Sequence, residues 1–152
     1  MVRFRFDDKN IAEMEILGYQ YPQIDDKDYD GNWLNIGLDV KSEKGNWRTV
    51  DPSLLTSEVE DFMLAIVDLL GKQVYGEDGE IEPLFIEPNL SFVLKLNGNG
   101  TVLFKMFFGA ESRPNFWPKN EDCCLQGVMS EEAVTKIAQG LKAELARFPK
   151  RI

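Results

Sequence analysis

The chain has 152 residues, 43% of them hydrophobic, with 26 acids against 17 bases and no histidine. That length and apolar content suit one domain over residues 1–152 with its own core, and exclude a disordered chain. The net charge of −9 excludes the basic footprint that nucleic-acid binding needs, and the missing histidine removes the usual general base and the commonest zinc ligand.

No apolar run approaches the roughly 20 residues needed to span a bilayer. Near the N-terminus Arg3 and Arg5 are followed by Asp7 and Asp8 instead of an apolar stretch, so no secretory leader is expected. In chain order, Ala12, Met14 and Ile16 alternate with Glu13 and Glu15, which predicts a half-buried strand. An acidic loop follows at residues 25–32. Leu34, Ile36, Leu38 and Val40 then alternate with Asn35, Gly37 and Asp39 in a second strand, and a turn at 42–45 returns the chain through a short strand over 46–50.

Ser57 and Glu60 have the spacing of a capping box, and Val59, Phe62, Met63, Ile66, Leu69 and Leu70 form a helical stripe that reads as core. Gly71 reads as the end of this helix. Residues 73–80 form a polar loop bearing Glu77, Asp78 and Glu80. Leu84, Phe85 and Ile86, between Pro83 and Pro88, predict a short edge strand. Leu90, Phe92, Leu94 and Leu96 alternate up to Asn97-Gly98-Asn99-Gly100, a strong hairpin signal, and Thr101 to Phe108 runs back. A loop with Phe116 and Trp117 leads to a last strand at 123–128. Ser130 caps a final helix whose stripe is Val134, Ile137, Ala138, Leu141, Leu145 and Phe148. The expected fold is α+β: an antiparallel sheet of about 6–8 strands with two helices, at about 57–71 and 130–147, packed on it.

Few motifs carry chemistry. Asp26, Asp28, Asp30 and Gly31 match the first half of a calcium loop, but the twelfth position is Gly37 and the flanks read as strands, so a solvated acidic loop is preferred. Adjacent Cys123 and Cys124 read as buried, reduced thiols of a cytoplasmic protein. No cofactor or metal is expected. The spacing of the acids selects no glycosidase pair, although carboxylate chemistry stays open as a minor alternative. Trp33 and Trp47 read as packing residues; for Trp117, in a loop between prolines, packing and a partner anchor are evenly matched.

Several segments together resemble one family: 17–22 (LGYQYP), 30–34 (DGNWL), 51–58 (DPSLLTSE), 85–92 (FIEPNLSF) and the C-terminal run 141–151 with Phe148-Pro149. Their order is similar to that of the WapI-type immunity proteins of bacteria. The resemblance implies a cytoplasmic antidote that binds and blocks a toxin domain, typically a nuclease, with no chemistry of its own. The charge fits that implication, since nuclease toxins are basic and an acidic inhibitor is steered onto them. Asp25, Asp26, Asp28, Asp30, Glu77, Asp78 and Glu80 are the expected partner-binding acids, with Trp117 an anchor candidate. The partner is then a cationic protein, with neither nucleic acid nor membrane involved. The alternatives are a carboxylate-dependent hydrolase and a module that self-associates through the strand edge near residues 84–86.

Overall fold

The computed structural model describes residues 1–23 and 29–151. Among the described residues, four strands followed by a helix occur twice. β1 (Val2–Arg5), β2 (Ile11–Tyr19), β3 (Trp33–Ser42) and β4 (Gly45–Leu55) lead into α1 (Thr56–Val74). β5 (Glu80–Ile81), β6 (Leu90–Leu96), β7 (Thr101–Phe108) and β8 (Cys124–Ser130) lead into α2 (Glu131–Arg147). Each set of four pairs antiparallel in sequence order, so the strands divide between two four-stranded sheets. The expected α+β class holds, with two sheets in place of one.

The pleat explains the core. Ala12, Met14 and Ile16 of β2 lie opposite Val40, Leu38 and Ile36 of β3. Leu90, Phe92, Leu94 and Leu96 of β6 lie opposite Phe108, Met106, Phe104 and Val102 of β7. All of these side chains are buried in one hydrophobic cluster, because alternate residues share a face. Phe4 of β1 joins the sheets: its ring lies 5.7 Å from Phe92 and 5.7 Å from Phe104. Phe62 of α1 stacks on Phe92 at 4.3 Å. At the other end of the core, Trp47 of β4 meets Phe108 at 5.2 Å and donates its indole N–H to the Ser112 carbonyl at 2.9 Å. Gly127 of β8 lets the two sheets touch along β1, since a Cβ there would sit 2.3 Å from the Phe6 carbonyl oxygen.

Four expectations are corrected. β1 was not foreseen, because Arg3 and Arg5 mask the buried Val2, Phe4 and Phe6. α1 begins one residue earlier than the Ser57 signal: Leu55 is its N-cap, and Glu58, not Glu60, accepts the Leu55 N–H at 2.9 Å. Gly71 lies inside the helix. Its end is set by Gly76 at φ +69, with Gly76 N–H bonded to the Gln73 carbonyl at 3.0 Å and Glu77 N–H to the Lys72 carbonyl at 3.0 Å, a Schellman closure. Residues 84–86 form no strand; Leu84 and Ile86 face solvent while Phe85 packs on the core.

α2 starts as expected, with Ser130 accepting the Ala133 N–H at 3.1 Å. Its stripe Val134, Ile137, Ala138 and Leu141 is buried, as is Glu144, which meets the Met1 amine at 2.7 Å. Among the described residues, no helix is long and apolar enough to cross a membrane. Because Phe92 touches both sheets and α1, Phe92→Ala should destabilise the fold by about 3–5 kcal/mol. Denaturant titration checks this, and a loss near 1 kcal/mol would show that Phe92 does not join the layers.

Candidate functional site

The acids expected to meet a partner fall in two places. Asp25, Asp26 and Asp28 lie outside the described residues, and with them half of the calcium-like pattern. Asp30 is exposed in a 3-10 turn over Tyr29–Asn32 that opens β3.

The chain on both sides of that acidic segment is held by Arg151. Its guanidinium donates to the carbonyls of Gly31 at 2.7 Å, Tyr21 at 2.8 Å and Pro22 at 3.1 Å, and lies 3.8 Å over the Tyr19 ring. Asn32 completes the joint. Its Oδ1 accepts from the Arg151 N–H at 2.8 Å and from Thr56 Oγ1 at 3.0 Å, and its Nδ2 donates to the Arg151 carbonyl at 3.0 Å. A guanidinium suits this position because its fixed fork satisfies several loop carbonyls at once.

Glu77, Asp78 and Glu80 sit at the far end of α1, all exposed, with Glu80 opposite Lys95 in the β5–β6 register. The structure does not bring Asp30 together with these acids. Thr56 touches the Asn32 joint and Glu77 follows the last turn, so a helix about 28 Å long separates them. What lies between them is the outer face of α1. From residue 56 to residue 88 there are nine acids and one base, Lys72, a net −8 of the chain's −9. The sequence reading treated α1 as core only, because its buried stripe accounts for the strongest periodicity.

Two of these acids, Glu77 and Asp78, stand where the fold disfavours them. The C-terminal end of a helix carries partial negative charge, and carboxylates beside it cost stability. Glu58 is the opposite case. It is 7% exposed, and its two oxygens accept the backbone N–H groups of Leu55 at 2.9 Å and Ile86 at 2.7 Å. It therefore fixes both the start of α1 and the connector at residues 82–88.

Trp117 is 6% exposed. Its indole N–H donates to the Asp122 carbonyl at 3.1 Å, its ring lies 6.0 Å from Trp47, and Lys44 Nζ sits 4.6 Å over it. The exposed aromatic of that loop is Phe116, at 48%. Cys123 and Cys124 are free thiols, and burial pushes the Cys123 thiol up to about 11.

A groove of about 250 Å³ crosses the outer face of the first sheet, lined by Glu13, Glu15, Asp39 and Arg48. Asp39 pairs with Arg48 at 3.4 Å and Glu15 with Arg147 at 3.9 Å. Glu15 and Asp39 are thus ion-paired and partly open to water. Among the described residues, no group of three or more metal-ligating side chains converges.

Relieving the charge at the end of α1 provides a test. Glu77→Lys with Asp78→Lys should raise Tm by roughly 2–4 °C, as expected for helix-dipole relief in a chain of this size. A fall in Tm on thermal unfolding would show that these acids are structural. No curated protein and no solved structure matches the chain. The Immunity protein WapI-like family matches residues 3–149, nearly the full length, and the chain belongs to that family.

Proposed function

We propose that the chain acts as one domain over residues 1–152 and is an antitoxin. It binds a basic, nuclease-type toxin domain in the cytoplasm and blocks it, with no chemistry of its own and no cofactor. The observation that carries this reading is membership of an immunity protein family over residues 3–149. The charge supports it. A surface with a large excess of acids repels nucleic acid and speeds encounter with a basic protein.

In this reading Asp25, Asp26, Asp28 and Asp30, together with Glu77, Asp78 and Glu80 at the C-terminal end of α1, attract the toxin over a distance. The helix-end acids accept a stability cost that a scaffold role would not require. Trp117, buried against Trp47, contributes by holding its loop in place.

Co-expression with each candidate nuclease-type toxin domain of the source genome tests the reading. Wild-type protein should restore growth. Replacing Asp25, Asp26, Asp28 and Asp30 with asparagine should slow association roughly tenfold at low salt and flatten its salt dependence. Wild-type protein that gives no protection rejects the antitoxin role. Association kinetics unchanged in the asparagine variant reject the steering role of these aspartates.

A further inference from the structure

α1 has two unlike faces. Val59, Phe62, Ile66 and Leu69 are buried. On the opposite side Leu64, Val67, Val74 and Tyr75 are 52%, 53%, 76% and 82% exposed. Positions 64, 67, 71 and 74 advance at helical spacing, so these side chains form one stripe, with Gly71 at its middle. The solvent side of a helix is ordinarily polar, and a contiguous apolar stripe there marks an interaction site.

A second apolar strip lies on the connector between β5 and β6. Leu84 and Ile86 are 92% and 60% exposed. The connector is fastened to the N-terminal half of α1: the Phe85 ring lies 6.3 Å from Phe62, and the Ile86 N–H donates to Glu58 Oε2 at 2.7 Å. With Phe85 turned inward, its two neighbours are held outward. Acids frame both strips. Glu60, Asp61 and Asp68 are exposed on α1, and Glu82 and Glu87 are exposed on the connector.

We propose that the outer face of α1, together with residues 84–86, is the docking surface for the toxin. The proposal rests on the antitoxin reading for the identity of the partner. It assigns that partner a contact region with an apolar centre ringed by lysine and arginine. Burying Leu64, Val67, Val74, Tyr75, Leu84 and Ile86 supplies affinity, while the acid rim sets orientation and on-rate. A second copy of the chain is a poor occupant, because two stretches of net −8 would repel each other.

Calorimetry with two probes tests this: a basic nuclease-type toxin domain from the source genome, and a synthetic helix with leucines on one face and lysines on the other. Wild-type protein and Val50→Lys, which alters a 65% exposed residue on the first sheet, should bind both probes alike. Leu64→Lys combined with Val67→Lys should weaken both by roughly 30-fold or more, the scale of a lost hot spot. Val74→Lys, at a 76% exposed position that cannot disturb the core, should weaken them in the same direction. Toxin that binds the wild type and all the α1 variants equally overturns the surface and leaves the antitoxin reading standing. A peptide that docks on the wild type and is lost from the variants, while the toxin is ignored, upholds the surface and removes the toxin reading. Wild-type protein that binds neither probe, or a wild-type dimer dissolved by the double variant, overturns the proposal.

Discussion

One buried carboxylate sets the functional face of this protein. Glu58 accepts a backbone N–H from Leu55, at the end of β4, and another from Ile86, in the connector to β6. The first bond satisfies a backbone donor at the N-cap and starts the helix. The second lays the connector alongside that helix and thereby turns Phe85 toward Phe62 and Phe92. Leu84 and Ile86 then have nowhere to go but solvent. Apolar exposure at residues 84 and 86 is thus imposed by the scaffold. Without Glu58, the buried Leu55 N–H would lose its partner, at a cost of about 1–3 kcal/mol, and the connector would lose its tie to the helix.

The segments on which the family resemblance rests are mostly joints of the scaffold. Asn32, Thr56 and Arg151 tie the base of the acidic segment to the start of α1 and to the C-terminus. Asn89 donates to Asp51 at 2.8 Å and, more weakly, to Ser53 at 3.4 Å. Tyr19 donates to the Pro149 carbonyl and meets the Phe148 ring edge-on. These polar contacts bring together parts of the chain that are far apart in sequence, and the buried ones at Asn32 and Asn89 would be costly to leave half made. The proposed docking face uses a different set of residues. Leu64, Val67 and Val74 bear on none of these joints, so the face can change to suit a partner without disturbing the fold.

How much could be read in advance followed the range of each interaction. Period-two alternation located β2, β3, β6 and β7, and the Asn97–Gly100 signal located their hairpin, because these patterns are local. Ser130 was legible as a cap for the same reason. The division into two sheets was not, since alternation reports which side chains turn inward and not which strands pair. β1 was hidden because its exposed face is arginine, which by itself reads as a charged tail. The start of α1 was misplaced by a residue because Ser57 and Glu60 imitate a capping box, while the true contact depends on where Glu58 ends up relative to β4. At the candidate site, the acids at 77, 78 and 80 were legible from charge alone. The outer stripe of α1 was overlooked because a helix with one strong apolar face invites no search for a second.

The central claim is that α1 and the adjoining connector meet the toxin. Hydrogen–deuterium exchange of the wild-type chain, alone and saturated with a basic nuclease-type toxin domain from the source genome, tests this most directly. The account predicts slowed exchange concentrated in residues 60–87, with β2 and β3 unchanged. Protection confined to residues 11–50, with α1 exchanging as in the free protein, would contradict it.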